Sequence, residues 1–246
     1  MSERATRIVS LVPSLTELLF DLGLREEVVG RTRFCIHPED EVESVRIVGG
    51  TKNPDLEKIH ELQPDLIIAN REENRKEDVE ALMNDFNVLL TDISTIEDAF
   101  LAIHDIGEAT GISEQARELI AECQQEMVDI SYAHELNVAY FIWRQPWMVA
   151  GGGTYIDDVL KRWGLKNVYS DAARYPEIEE ADVRKRYPDL ILLSSEPYPF
   201  KDKHLEELRE ICPAADIQLV DGEWFSWYGS RMLPAFRALN AWRKGL

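Results

Sequence analysis

Cysteine is scarce: Cys35, Cys123 and Cys212 are the only three, and no Cys-x-x-Cys pair occurs. That excludes a disulfide framework and suits a reducing compartment. Positive charge is short as well, with 27 Lys and Arg against 46 Asp and Glu and a formal net charge of −19. So acidic a chain repels phosphate backbones and anionic lipid, which excludes nucleic acid as a partner. No apolar run reaches the roughly 18 residues of a membrane-spanning helix, so no membrane insertion is expected. The opening "MSERATRIVSLVPS" shows no targeting pattern. A cytoplasmic location follows for the chain as written, or a periplasmic one had an export signal been removed. Catalytic signatures are missing too: there is no nucleophile elbow, no His-Glu-x-x-His and no evident Ser/His/Asp set, so the chain is expected not to be an enzyme. The glycines of "AGGGTYIDD" lack both the GxGxxG spacing and the Lys-Ser/Thr of a phosphate loop, and read as a flexible bend.

What is present is a strand–helix alternation. Ile8 to Val12 is apolar, Pro13-Ser14 breaks it, and Leu15, Leu18, Leu19 and Leu22 keep helical spacing up to Gly23. Ser14 is the expected N-cap, with Glu17 closing a capping box. Helix and strand signals then alternate through "PDLEKIHELQ", "PDLIIAN", "RKEDVEALMNDF", "NVLLTD" and "TIEDAFLAIHDIGEATG". Residues 113–135 contain no Gly or Pro and carry a stripe of Ala116, Leu119, Ile120, Cys123 and Met127. They predict one helix of roughly 30 Å or more at about 1.5 Å per residue. The alternation restarts with "NVAYFIW", "YIDDVLKRWG", "PDLILLS", "DKHLEELREI" and "DIQLV", and closes with a helix from about Ser230. The expected fold class is α/β: two Rossmann-like lobes with central parallel sheets joined by one long rigid helix. The lobes are expected at 1–112 and 136–246, with the connecting helix at 113–135. They echo each other, since "QPDLIIANREE" resembles "YPDLILLSSEP" and "LGLREEVVG" resembles "WGLKNVYS".

Ligands of open parallel sheets sit beyond the carboxyl ends of the strands. In the first lobe that rule selects Pro13, Ser14, the "RTRFCIHPED" loop with Phe34, and "ANREEN". In the second it selects Trp147, Tyr155, Tyr198, Phe200 and the stretch "DGEWFSWYGSR", which holds Trp224, Phe225, Trp227, Tyr228 and Arg231. So many rings suit a large flat ligand, each covered ring removing about 150–250 Å² from water; packing of the same rings within the fold is the competing reading. Cys35 and His37 form the one Cys-x-His pair, chemically able to take a transition metal.

These blocks, in order, resemble the helical-backbone metal receptor superfamily: "RIVSLVPSLTELLFDLG", "VVGRTRFCIHP", "VGGTKNPDLEKIHELQPDLIIA", the long helix, then "DGEWF". Its members are class III periplasmic-binding-protein-like substrate carriers of ABC importers, and the nearest branch is the cobalamin-binding one. The resemblance implies a non-catalytic binding protein, monomeric, for a corrinoid such as cobalamin, or else haem or a ferric siderophore. It implies Trp224 and Phe225 on a cleft wall with the "FCIHP" loop opposite. His37 stands where many cobalamin-binding members have tyrosine, and an imidazole there could ligate the metal. Asn70 stands where some members carry a cleft tryptophan. Glu72, Glu73 and Glu77 can supply the first lobe's docking glutamate for an ABC permease, although Lys76 is the closest positional match and Ser226 replaces the counterpart in the second lobe. The alternative is a cytoplasmic metal-cofactor chaperone or an enzyme on the same scaffold, with His37 as metal ligand.

Overall fold

The computed structural model describes residues 4–128 and 134–246. The first part of the chain forms β1 (Ile8–Ser10), α1 (Pro13–Asp21), β2 (Val28–Arg31), α2 (Glu39–Val42), β3 (Arg46–Ile47), β4 (Gly49–Gly50), β5 (Asn53–Pro54), α3 (Leu56–Leu62), β6 (Leu66–Asn70), α4 (Lys76–Met83) and β7 (Val88–Thr91). Two longer helices follow, α5 (Ile96–Thr110) and α6 (Ser113–Glu126). The remainder forms β8 (Leu136–Trp143), β9 (Trp147–Val149), α7 (Tyr155–Arg162), β10 (Leu165–Asn167), β11 (Glu177–Ile178), α8 (Glu180–Arg186), β12 (Leu190–Ser194), α9 (Asp202–Ile211), β13 (Asp216–Val220), α10 (Glu223–Ser226) and α11 (Met232–Arg243).

The chain separates into two compact units. One gathers the residues up to Ile93, Glu97–Gln125 and Tyr228–Leu233; the other gathers Ser94–Ile96, the stretch from Glu126 to Trp227, and Pro234–Leu246. The first holds a five-stranded parallel sheet in the order β3-β2-β1-β6-β7. The second holds a six-stranded sheet: β11-β9-β8-β12-β13 with β10 also paired to β8. Its β8, β10, β12 and β13 run parallel, and only the β9 pairings are antiparallel. The α/β class and the parallel central sheets are therefore as the alternation implies.

Both sheets are strung on the repeated Pro-Asp-Leu-Ile sequence. β6 and β12 are each buried along their whole length, as an apolar run covered on both faces must be. Each fully covered Leu or Ile contributes about 1.5–3 kcal/mol. The aspartates lock the register. Asp65 accepts Arg7 N–H at 2.9 Å and Thr6 N–H at 2.9 Å, while its own N–H donates to Arg7 O. Asp189 likewise accepts Asn137 N–H at 2.8 Å and donates its N–H to Asn137 O. The residues before the two prolines, Gln63 and Tyr187, both end their helices in the left-handed region, at φ 45° and 47°.

Three local expectations need revision. α1 starts two residues early: Val12 is its N-cap, Pro13 takes the first turn where a missing N–H costs nothing, and no side chain caps it. Ser14 is therefore inside the helix and Glu17 closes no capping box. The stripe from Ser113 is helical through Glu126 only. There Asn240 Nδ2 donates to Glu126 O at 2.9 Å and Arg162 Nη2 to Met127 O at 2.6 Å, so side chains satisfy the terminal carbonyls. The rest of the predicted span, 129–133, lies outside the described residues. Finally, the glycine run is no flexible bend. Gly151 N–H donates to Arg174 O and Gly152 N–H to Ala172 O, both at 2.7 Å, in a short backbone ladder. Those N–H groups are spent and cannot cradle a phosphate.

Candidate functional site

In the first unit β2, β1 and β6 lie side by side, so the loops that leave their carboxyl ends are neighbours on one sheet edge. The loop after β2 is fastened from beneath. Cys35 is fully buried, its sulfur 3.1 Å from Thr16 Oγ1 and 3.2 Å from Thr32 Oγ1, and Thr16 also donates to Ser10 Oγ at 2.8 Å. Arg31 is buried with it, donating to Val42 O at 2.7 Å and Cys35 O at 3.0 Å. These ties hold out Phe34 and Ile36, each 52% exposed, with His37 half-buried beside them. Burial raises the Cys35 thiol's pKa against the opposing pull of the two threonines. With its sulfur fully covered and engaged by both threonine hydroxyls, Cys35 offers no open face to a ligand, and the Cys35 assignment is withdrawn on that ground. Among the described residues no group of three or more His, Cys, Asp and Glu could hold a metal ion.

The loop after β6 is organised by Asn70, which is buried rather than a wall of a ligand site. Its Oδ1 accepts the N–H groups of Glu72 at 2.8 Å and Glu73 at 3.2 Å, and its Nδ2 donates to Thr91 Oγ1 at 3.0 Å. Asn74 accepts Asn70 N–H and donates to Leu11 O and Thr51 O, so the loop is stitched to its neighbours. The amide groups are consumed in shaping a turn that carries Glu72 and Glu73 half-buried, with Glu77 exposed in the first turn of α4. Pro13 is half-buried and Ser14 buried at the start of α1. Tyr228 and Arg231 belong to this unit, where Tyr228 is buried and Arg231 is held by Glu17.

In the second unit the aromatic inventory divides. Trp147 is buried, stacked on Phe200 at 6.2 Å, edge-on to Phe141 at 5.4 Å and beneath the Arg144 guanidinium at 4.3 Å. Tyr155 is buried at the head of α7. Phe225 is completely buried between Tyr140 at 5.0 Å and Trp242 at 6.0 Å. These rings are core, and their assignment to a ligand wall is corrected for that reason: no face is left to offer. Tyr198 keeps partial exposure while its hydroxyl meets His204 Nε2 at 3.3 Å and its ring abuts Trp143. Trp224 differs from all of these. It is partly exposed on α10, its main-chain N–H donates to Asp221 O, and no hydrogen-bond or ring partner for its indole is found among the described residues.

Two residues escaped the sequence reading. Ile36 had no signal beyond its place between Cys35 and His37. Glu196 was visible only as the counterpart of Glu72 in the repeat; it accepts Trp227 Nε1–H at 2.8 Å and Ser226 Oγ–H at 2.7 Å. Burial raises its pKa, the nearby Glu223 and Asp221 add to that, and the two donors oppose it.

The periplasmic binding protein family model matches residues 8–217. The chain belongs to that family. A vitamin B12-binding protein of Pectobacterium carotovorum is 26% identical over 237 residues, covering 93% of this chain and 85% of the relative. The solved periplasmic vitamin B12 binding protein of Vibrio cholerae superposes with a TM-score of 0.86 at 20% identity, covering 98% of this chain and 97% of its own. The apo periplasmic heme-binding protein of Roseiflexus gives a TM-score of 0.80 at 22% identity and covers 98% of each chain. At those identities the two structures establish the fold alone. None of the three is described as an enzyme or as cytoplasmic, so the expectation of a cytoplasmic location finds no support in them. Among the described residues no helix is long and apolar enough to cross a membrane.

Proposed function

We propose that this chain is a non-catalytic carrier of a flat metal chelate, a corrinoid before haem and haem before a ferric siderophore. It works outside the cytoplasmic membrane and delivers its ligand to an ABC permease. The observation that carries the reading is Trp224: a partly exposed indole for which no hydrogen-bond or ring partner is found among the described residues, in a family of binding proteins whose relatives include a vitamin B12-binding protein. An aromatic face kept partly in water gains most when a flat apolar surface covers it. Trp224 and Tyr198 supply stacking faces in the second unit, and Phe34 and Ile36 supply apolar surface in the first. His37, on the same fastened loop, is the proposed imidazole for the metal that the ligand brings with it. Glu72, Glu73 and Glu77 form the proposed acidic contact for the permease.

Absorbance and tryptophan-fluorescence titrations with cyanocobalamin, haemin and a ferric siderophore test the reading. A saturable one-to-one quench with cyanocobalamin is expected, weaker with the others. If none of the three perturbs either spectrum, the carrier reading fails. His37→Ala is expected to change the absorbance of the bound chelate while leaving a measurable affinity; an unchanged spectrum removes His37 as an axial ligand.

A further inference from the structure

The short helix α10 could not hold its own shape. Four residues are far below the length at which a helix persists unaided, so something external sets the path of the Trp224–Trp227 turn. Glu196 does so from the loop after β12. Its Oε1 receives both the Trp227 indole N–H at 2.8 Å and the Ser226 hydroxyl at 2.7 Å. The main chain is tied at the same place. Ser194 Oγ donates to Glu196 O at 2.5 Å and accepts Tyr140 OH at 3.1 Å, which anchors the loop to the buried face of β8. Gly222 N–H donates to Ser195 Oγ at 2.9 Å. A Cβ on Gly222 would stand 2.3 Å from Ser194 Oγ and 2.7 Å from Glu196 Cγ, so the two loops touch with no space between them.

A carboxylate is an expensive group to place here. It is largely covered and has Asp221 and Glu223 as neighbours. An ionised acceptor does, however, hold its donors about twice as strongly as a neutral one and with tighter geometry. We propose that Glu196 is a positioning residue for ligand capture: it fixes the Trp224–Trp227 turn before binding, so that the Trp224 ring is presented without an ordering cost at the moment of contact. This rests on the carrier reading for its affinity consequence and on the ligand-free geometry for the positioning itself.

The test compares Glu196→Ala and Glu196→Gln with the wild-type protein. The ligand-free readout is the ¹H–¹⁵N signal of the tryptophan indoles; the binding readout is cyanocobalamin affinity. In E196A the Trp227 indole signal should move and broaden while amide signals of β8 and β12 stay in place. Cyanocobalamin should bind about tenfold more weakly, as expected for loss of a partly buried acceptor. E196Q, which keeps an acceptor oxygen, should recover most of both, and a merely structural role would not be rescued in the indole signal and the affinity together. An unmoved Trp227 signal in E196A, or E196A binding as tightly as wild type, overturns the proposal. Should E196A fail to fold, Trp227→Phe removes the same hydrogen bond from the other side, and wild-type affinity in W227F overturns it equally. If the wild-type protein binds no chelate, the carrier reading falls, and the indole signals still decide whether Glu196 fixes the turn.

Discussion

Arg231 clasps Glu17 across 214 residues of chain, Nε to Oε2 at 2.8 Å and Nη2 to Oε1 alongside it. Both belong to the first compact unit, although Arg231 comes from almost the end of the sequence. The pair is mostly covered, with side-chain exposures of 25% and 11%. A bidentate, half-desolvated ion pair is far more sensitive to loss of one member than of both. This is also why Arg231 is better read as a brace than as a ligand contact: its guanidinium is committed to α1.

Arg231→Ala should accordingly destabilise the protein by about 3 kcal/mol, since it strands the Glu17 carboxylate in a covered site. The double variant Glu17→Gln with Arg231→Ala should lose distinctly less than the sum of the two single changes, Glu17→Gln and Arg231→Ala. Urea denaturation of the four proteins measures the coupling; strict additivity would show that the two groups do not act as a pair.

Adjacent positions separate ligand contact from core. Trp224→Ala removes a partly exposed ring and should leave stability within about 0.5 kcal/mol of wild type. It should weaken cyanocobalamin by about tenfold or more, or roughly 1.4 kcal/mol. Phe225→Ala empties a closed site between Tyr140 and Trp242 and should cost about 3–5 kcal/mol of stability. Thermal melts and titrations on both variants check the contrast, and a reversed pattern would mean that the wrong ring has been assigned to the ligand.

That contrast marks what the chain disclosed by itself. The strands β6 and β12 were legible because an apolar run between turn signals can hardly be anything else, and the repeated Pro-Asp-Leu-Ile tied them to equivalent posts. α1 was legible as a helix but not at its first residue, because Pro13 and Ser14 are both plausible starts and only the backbone chooses. α10 left no trace, since a single turn has no periodicity to read. The aromatic stretch announced many rings without saying which were spoken for. Phe225 is core because Tyr140 and Trp242, distant in sequence, close on it, and no local pattern carries that information. Asn70 was misread for the same reason: its partners are backbone N–H groups that exist only once the turn has formed.

The glycine run offers a sharper check on packing. A Cβ at Gly152 would stand 2.2 Å from Ser170 O, a backbone atom that cannot swing away. Gly152→Ala should therefore cost about 2–3 kcal/mol, at the upper end for overpacking by one methyl group. Gly153 has open space around it and only its φ of 72° to satisfy, so Gly153→Ala should cost about 1 kcal/mol. Equal midpoints for the two variants in chemical denaturation would contradict the ladder at 151–152.

Glu196 makes stability depend on pH in a direction opposite to that of a salt-bridged acid. Burial, with Glu223 and Asp221 nearby, lifts its folded-state pKa above the ordinary carboxylate value, so the folded protein takes up this proton more readily than the unfolded chain. The ionised group therefore weakens the fold above its folded pKa. The penalty fades as pH falls through that value and is gone below the unfolded one, roughly 4.3. Glu196→Gln removes the titration while keeping an acceptor for Trp227 and Ser226. The advantage of E196Q over wild type should thus be largest at pH 7–8 and shrink as the pH approaches 4.5. Because the other carboxylates titrate in both proteins, the difference between the two stability curves reports Glu196 together with its repulsion from Glu223 and Asp221. A difference that stays constant from pH 8 to pH 4.5, or grows on acidification, would show that Glu196 is not held above its ordinary range and that its hydrogen bonds outweigh its burial.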